Sequence, residues 1–394
     1  MIDSANERPE SARTHSARMN APSRRGFLAS LIALVTLTVL GTSAPARAEI
    51  RVTDVLGRAV TLSKPAERVL LGFYFEDYIA IVGPTAIDRL TAVSLHYWKG
   101  YRPRQYEAYL AAFPKIASLV DVGDVDNGTM SVEKIVAARP DVAILSVGQY
   151  QYLGAAAAQI EAAGIPIVTV DYNAQTVEKH VASTRVIGKV MGTEEQAERL
   201  ARAYQAAVND TQDRIQSAQA SAKPKVYVEL GQKGPHEYGN SYGKGMWAGV
   251  IDQVGGANIA DGQIANWGPL NPEYVVAAQP DVIFITASEW MSIPDAVVMG
   301  FGVDPALTRE RLRPYLTRAG WANLPAVRNG EVYAIYHGGT RTLYDYVYAR
   351  FMAKALYPIA FADVDPRAEL AGYYKENLPI RPDGDFMLRL EPRS

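Results

Sequence analysis

Ser131-Val132-Glu133-Lys134-Ile135-Val136-Ala137-Ala138-Arg139-Pro140-Asp141-Val142 has a near copy, Asn271-Pro272-Glu273-Tyr274-Val275-Val276-Ala277-Ala278-Gln279-Pro280-Asp281-Val282, which begins 140 positions further on. Each stretch reads as a capped helix running into a strand. Ser131 and Asn271 are good N-caps, and Pro272 sits where proline suits a first helical turn. Glu133 and Glu273 lie in that turn, where a negative charge favours the helix dipole. Pro140 and Pro280 stop the helices, and the apolar runs Val142 to Val147 and Val282 to Thr286 follow. Such runs suit strands buried on both faces of a parallel sheet. One helix–Pro-Asp–strand unit used twice predicts an α/β protein of two Rossmann-like lobes, each with a mostly parallel central sheet.

Outward from these units the same alternation continues. Glu49 to Leu62 reads as a β-hairpin, turning at Leu56-Gly57-Arg58. Strands are expected at Val69–Leu71, Leu90–Leu95, Ile165–Val170, Val226–Leu230 and Glu331–Ile335, with helices between them. From Thr193 to Ala218 the period becomes helical, with Leu200, Ala201, Tyr204, Ala207, Val208, Thr211 and Ile215 on one face. Thr193 and Gln196 are spaced for a capping box. A helix of about 25 residues and ~38 Å, lying between the repeats, reads as the strut joining two lobes. The domains are then 49–192, the helix 193–218, and 219–394. Lys244 to Val254 reads as a helix and Leu343 to about Ala360 as another, followed by a polar, Pro-containing tail packed on the second lobe.

The beginning of the chain is different in kind. Ser23-Arg24-Arg25-Gly26-Phe27-Leu28 precedes a short apolar run and Ala46-Arg47-Ala48. That order reads as a cleaved export signal over residues 1–48, of the twin-arginine type. Its removal, with six Lys/Arg against three Asp/Glu, takes the net charge from −2 to −5. A mildly acidic protein carries no electrostatic footprint for nucleic acid. The chain has no cysteine, which excludes disulfides, thiolate metal sites, thiol catalysis and a lipidated N-terminus. A soluble periplasmic protein, not membrane-spanning, is expected.

Ligands of open α/β sheets bind beyond the carboxyl ends of the strands. Those ends here hold Tyr74, Glu76, His96, Tyr97, Trp98, Tyr150, Tyr152, His236, Tyr238, Trp267, Trp290, Tyr336, His337, Arg341 and Tyr344. The vocabulary describes an aromatic-walled cleft with a few polar and basic contacts. Lys99, Arg102, Arg104, Lys244 and Arg341 suit an anionic chelate, whereas His96, His236, His337 and Glu76 are the candidates for holding a bare metal ion. Glu76 and Asp77 are adjacent and diverge by about 100° on a helix, a poor acid/base pair. No hydrolase, metalloprotease or phosphate-loop motif is present, so no catalytic residue is assigned.

In order along the chain, Val52-Thr53-Asp54-Val55-Leu56-Gly57-Arg58, the two Glu…Pro-Asp units and Gly255-Gly256-Ala257-Asn258-Ile259-Ala260-Asp261 carry a resemblance. The chain is similar to the periplasmic substrate-binding proteins of ferric-siderophore, haem and vitamin B12 ABC importers, the class III type with a helical backbone between lobes. The resemblance covers nearly all of the chain after residue 48. It implies a non-enzymatic monomer without cofactor, two lobes on one rigid helix, a ligand held between them, and little closure. It also implies that Glu133 and Glu273 dock to arginines of an inner-membrane permease dimer. The resemblance leaves the ligand open, and the leading expectation is an iron(III)-siderophore-type chelate. Haem, cobalamin or a bare metal ion on the same fold, and a periplasmic metal-dependent enzyme, are the alternatives.

Overall fold

Both repeat units fold as one construction used twice, in a computed structural model that describes residues 49–218 and 222–391. The export signal read at residues 1–48 lies outside them. In the helix Val132–Ala138 the Ser131 hydroxyl accepts from Lys134 N at 3.2 Å. In Pro272–Ala278 the Asn271 carboxamide accepts from Glu273 N at 2.8 Å and Tyr274 N at 3.3 Å. Each cap contributes about 1 kcal/mol. Both helices end on a non-glycine residue in the left-handed region, Arg139 at φ 45° and Gln279 at φ 53°. That turn delivers the aspartate of each Pro-Asp pair to the start of the neighbouring strand. Asp141 Oδ2 accepts from Glu67 N and Arg68 N at 2.9 and 3.0 Å, and Asp281 Oδ2 from Lys225 N at 2.8 Å. The Pro-Asp motif therefore fixes strand register in both halves.

The first sheet orders its strands as Val120–Asp121, Leu90–Val93, Val69–Leu71, Val142–Ser146 and Ile167–Val170, all parallel. The second orders Ala257–Asn258, Lys225–Leu230, Val282–Ala287, Val332–Tyr336 and Met387–Arg389. Its last strand is antiparallel to Val332–Tyr336. Every residue of Val142–Ser146 and Val282–Ala287 is buried, as expected of strands covered by helices on both faces. The fold class is as predicted, and the tail after Ala360 packs on the second half with regular structure of its own. It forms the helix Pro366–Asn377 and then the edge strand Met387–Arg389, whose apolar residues are too few to show a period.

The long helix runs from Glu194 to Ser217 and buries Leu200, Ala201, Tyr204, Val208 and Thr211. It packs against Val177–Met191 of the first half and Asp345–Leu356 of the second. Arg185 pairs with Glu198 on one side, and Arg350 and Arg214 reach Asp210 on the other. The expected capping box at its start does not form. The Thr193 hydroxyl is buried without a partner, and Gln196 Nε2 instead donates to Ala80 O at 3.0 Å. Gln196 Oε1 accepts from Arg199 Nε at 3.2 Å, and Thr193 N donates to Gly188 O at 2.7 Å. No helix among the described residues is long and apolar enough to cross a membrane.

Candidate ligand site between the two sheets

The strand-end residues divide into three groups. The first is enclosed in the seam between the halves. Glu76, on the helix Phe75–Val82, accepts from Gln105 Nε2 at 2.8 Å and from the hydroxyls of Tyr109, Tyr344 and Tyr374 at 3.0, 2.5 and 3.0 Å. Gln105 and Tyr109 belong to the first half, Tyr344 and Tyr374 to the second. Asp77 Oδ1 accepts from Leu343 N at 2.6 Å. Glu289 answers from the second half: its Oε2 caps the helix Pro103–Ala112 by accepting from Arg104 N at 2.7 Å and Gln105 N at 3.3 Å, and its Oε1 accepts from Tyr336 at 3.0 Å. Burial pushes Asp77 up to about 8 and holds Glu76 and Glu289 above the usual carboxylate range despite their donors. Glu76 and Tyr344, at 2% and 1% exposure, thus join the halves instead of lining an open cleft. Trp98 belongs inside as well: the π-turn His96–Gly100 rotates it onto Phe75, stacked at 4.5 Å and fully buried. A residue count after the strand cannot foresee that rotation.

A second group is scattered. Tyr150 lies under the Arg58 guanidinium at 3.9 Å, beside the apolar cluster of Ile135 and Ile160. It sits on a helix, Val147–Leu153, started by a capping box of Ser146 and Gln149. Tyr238 is one wall of a cage around Arg318, which also stacks on Tyr315 and Trp321 and pairs with Glu229. His236 is exposed. Tyr152 and Trp267 are 62% and 67% exposed. Among the described residues, no three His, Asp or Glu side chains gather as a metal ion requires. The candidate set of His96, His236, His337 and Glu76, belonging to the alternative of a bare metal ion, is therefore not assembled, because Glu76 is engaged by tyrosines and the histidines lie on separate turns.

The third group does converge. From the first half come Phe73, Tyr74 and Tyr97, with Tyr97 edge-on to Phe73 at 5.2 Å, followed by Arg102 and the rim residues His96 and Tyr101, whose rings are 5.0 Å apart. From the second half come Tyr242, Trp290, His337 and Arg341. Trp290 and Tyr242 flank His337 at ring separations of 6.1 and 6.3 Å. Arg341, at φ 67°, carries its guanidinium across the seam to within 5.4 Å of the Phe73 ring. Arg102 Nη2 crosses the other way, donating to Gly338 O at 3.3 Å. Burial, with Arg102 nearby, lowers Arg341 to about 10. Burial followed by Arg341 and Arg102 depresses His337 to about 3. Neither arginine makes an ion pair among the described residues. Arg341 Nε is itself buried without a hydrogen-bond partner among the described residues. An unpaired buried donor is costly, and an anion beside the two arginines would satisfy it. An apolar groove of about 540 Å³ between Ile79, Phe113 and Leu378 lies elsewhere and includes none of these residues.

Arg102, Phe73, Tyr101 and Tyr242 complete this group and were not singled out as site residues, although Arg102 stood among the basic candidates. A phenylalanine or tyrosine at a strand end carries no mark of which way its turn will face. Glu289 shows the same limit, since nothing local tells that it caps a helix of the other half.

Comparison with known proteins agrees with the architecture. The family described as periplasmic binding protein matches residues 77–337. The crystal structure of the TroA-like periplasmic binding protein FepB from Veillonella parvula is 33% identical, covers 87% of this chain and 100% of that one, and superposes with a TM-score of 0.80. The molybdate-binding protein MolA of Haemophilus influenzae is 24% identical over 89% of this chain and 96% of its own length. The uncharacterized ABC transporter substrate-binding lipoprotein YvrC of Bacillus subtilis is 24% identical over 57% of this chain, and the match spans 62% of YvrC. With two α/β halves joined by one long helix, and a match that runs through both repeat units, the chain belongs to the periplasmic binding protein family.

Proposed function

We propose that this chain is the substrate-binding component of an ABC importer, exported to the periplasm, that holds an anionic iron(III) chelate of the siderophore type between its sheets. The observation that supports this most is the couple Arg102 and Arg341, without an ion-pair partner among the described residues, placed from opposite halves among aromatic rings, with Arg341 Nε buried and unsatisfied. Two like charges in a half-buried seam repel, and an anion bridging them removes that cost. Exposed Glu133 and Glu273, on twin capped helices, supply the charge by which an inner-membrane permease dimer would be docked. The identity to a molybdate-binding protein over nearly its whole length favours a second reading, a compact oxyanion at the same arginines.

Native mass spectrometry with the ligand retained distinguishes the two by mass. Titration of tryptophan fluorescence with ferric tris(2,3-dihydroxybenzoate) and with molybdate then measures affinity. Arg341→Met should weaken the true ligand about ten- to hundredfold, the worth of one hydrogen bond to a charged group. Equal binding by Arg341→Met would reject the site.

A further inference from the structure

His337 reaches the site with one nitrogen already committed. Trp247 Nε1 and the Tyr242 hydroxyl both lie 3.4 Å from His337 Nδ1. An indole N–H can only donate, so the nitrogen it meets must carry a lone pair. Tyrosine can donate or accept, and Tyr242 alone would settle nothing. Trp247 is fully buried on the helix Met246–Gln253, so the direction of its N–H is fixed by the core packed around it. The ring proton of a neutral His337 then sits on Nε2. That atom makes no hydrogen bond and is not among the enclosed unpaired atoms, so it is open to an incoming group. Arg341 and Arg102 oppose a second proton on the ring, and the direction of the His337 shift agrees.

We infer that Trp247 is a positioning residue that locks His337 as a neutral Nε2–H donor between the two arginines, aimed at an acceptor oxygen of the anionic ligand and withheld from metal coordination. The inference rests on the anion-binding reading above and deepens it, because the site would recognise the ligand's outer oxygens and leave the metal to its chelator. A nitrogen bearing a proton cannot be a metal ligand, and Nδ1 is occupied by two neighbours.

Two arms test it, the first without any ligand. Nitrogen-15 NMR of the free protein at neutral pH should show His337, identified by its loss in His337→Gln, protonated on Nε2 alone. Tyr242→Phe should leave that pattern unchanged, and Trp247→Phe should give a mixture of tautomers. A proton on Nδ1, or an imidazolium, overturns the inference. In the second arm, with ferric tris(2,3-dihydroxybenzoate) as probe, His337→Leu should bind about ten- to hundredfold more weakly, and His337→Gln, which keeps an N–H, should recover most of the loss. Wild-type binding by His337→Leu overturns the donor role even if Trp247→Phe proves too unstable to study. If the wild type binds no probe, the functional reading fails, and the tautomer is still decided by the free-protein spectrum.

Discussion

Two sets of carboxylates in this molecule are chemically alike and physically opposite. Glu133 and Glu273 stand exposed on the first turns of twin helices. Glu76, Asp77 and Glu289 lie in the seam at 2%, 1% and 3% exposure, each accepting a hydrogen bond from the opposite half. The difference separates two tasks. An exposed carboxylate on a capped helix adds little to the fold and is free to meet an outside cation. A carboxylate taken out of water is tolerated only where internal donors surround it, and those donors then become part of what holds the halves together.

The comparison breaks most visibly at Glu76. Glu76→Ala leaves three buried hydroxyls and Gln105 without their acceptor, and should destabilise the protein by about 3–5 kcal/mol. Denaturant unfolding measures it, and a loss below about 1 kcal/mol would mean that the seam carboxylates are as dispensable as the exposed ones. Asp77 gives a smaller effect with a distinct signature. Its folded pKa lies near 8, above the unfolded value, so its contribution is fully present below about pH 4 and is lost as pH rises toward 8. Asp77→Asn keeps the acceptor for Leu343 N and removes that slope. Melting temperatures of the two proteins should converge at pH 4 and differ by several degrees, in favour of the variant, near pH 8. Parallel curves across that range would show that Asp77 does not titrate there. The smallest effect on stability belongs to the tip. The double variant Glu133→Ala, Glu273→Ala should cost about 0.3–1 kcal/mol per site and leave ligand affinity unchanged, while uptake in cells falls. Normal uptake would reduce both glutamates to dipole partners of their helices.

The division between what could and could not be read from the sequence follows the same line. The twin units were legible because their caps, proline stops and aspartate pins act within a dozen residues. The strut was legible from its period, though not its missing capping box, where Thr193 N turns to Gly188 O and Gln196 is engaged by Ala80 and Arg199. The site was legible only as a district. His337, Arg341, Trp290 and Tyr97 do meet, but Trp98, Glu76 and Tyr344 turn inward, Tyr238 closes around Arg318, and Tyr150 packs beneath Arg58. Each of those outcomes depends on a partner from a distant stretch of chain. Trp247 is the clearest case, since in an apolar helix it reads as any core aromatic until the histidine beside it is seen.

Glu289 has a mechanical consequence. It belongs to one half, yet the first turn of Pro103–Ala112 in the other half takes its acceptor from it, and Arg102 is the residue just before that turn. Prying the halves apart would therefore strip Arg104 and Gln105 of their cap and let the helix start unravel from the end next to Arg102. If the seam holds an anion as proposed, grip on it and contact between the halves would be a single latch: a force applied at the two tips would loosen the ligand without reaching it. Hydrogen exchange at Arg104 and Gln105 would report the latch directly, rising in Glu289→Ala ahead of amides in the rest of that helix.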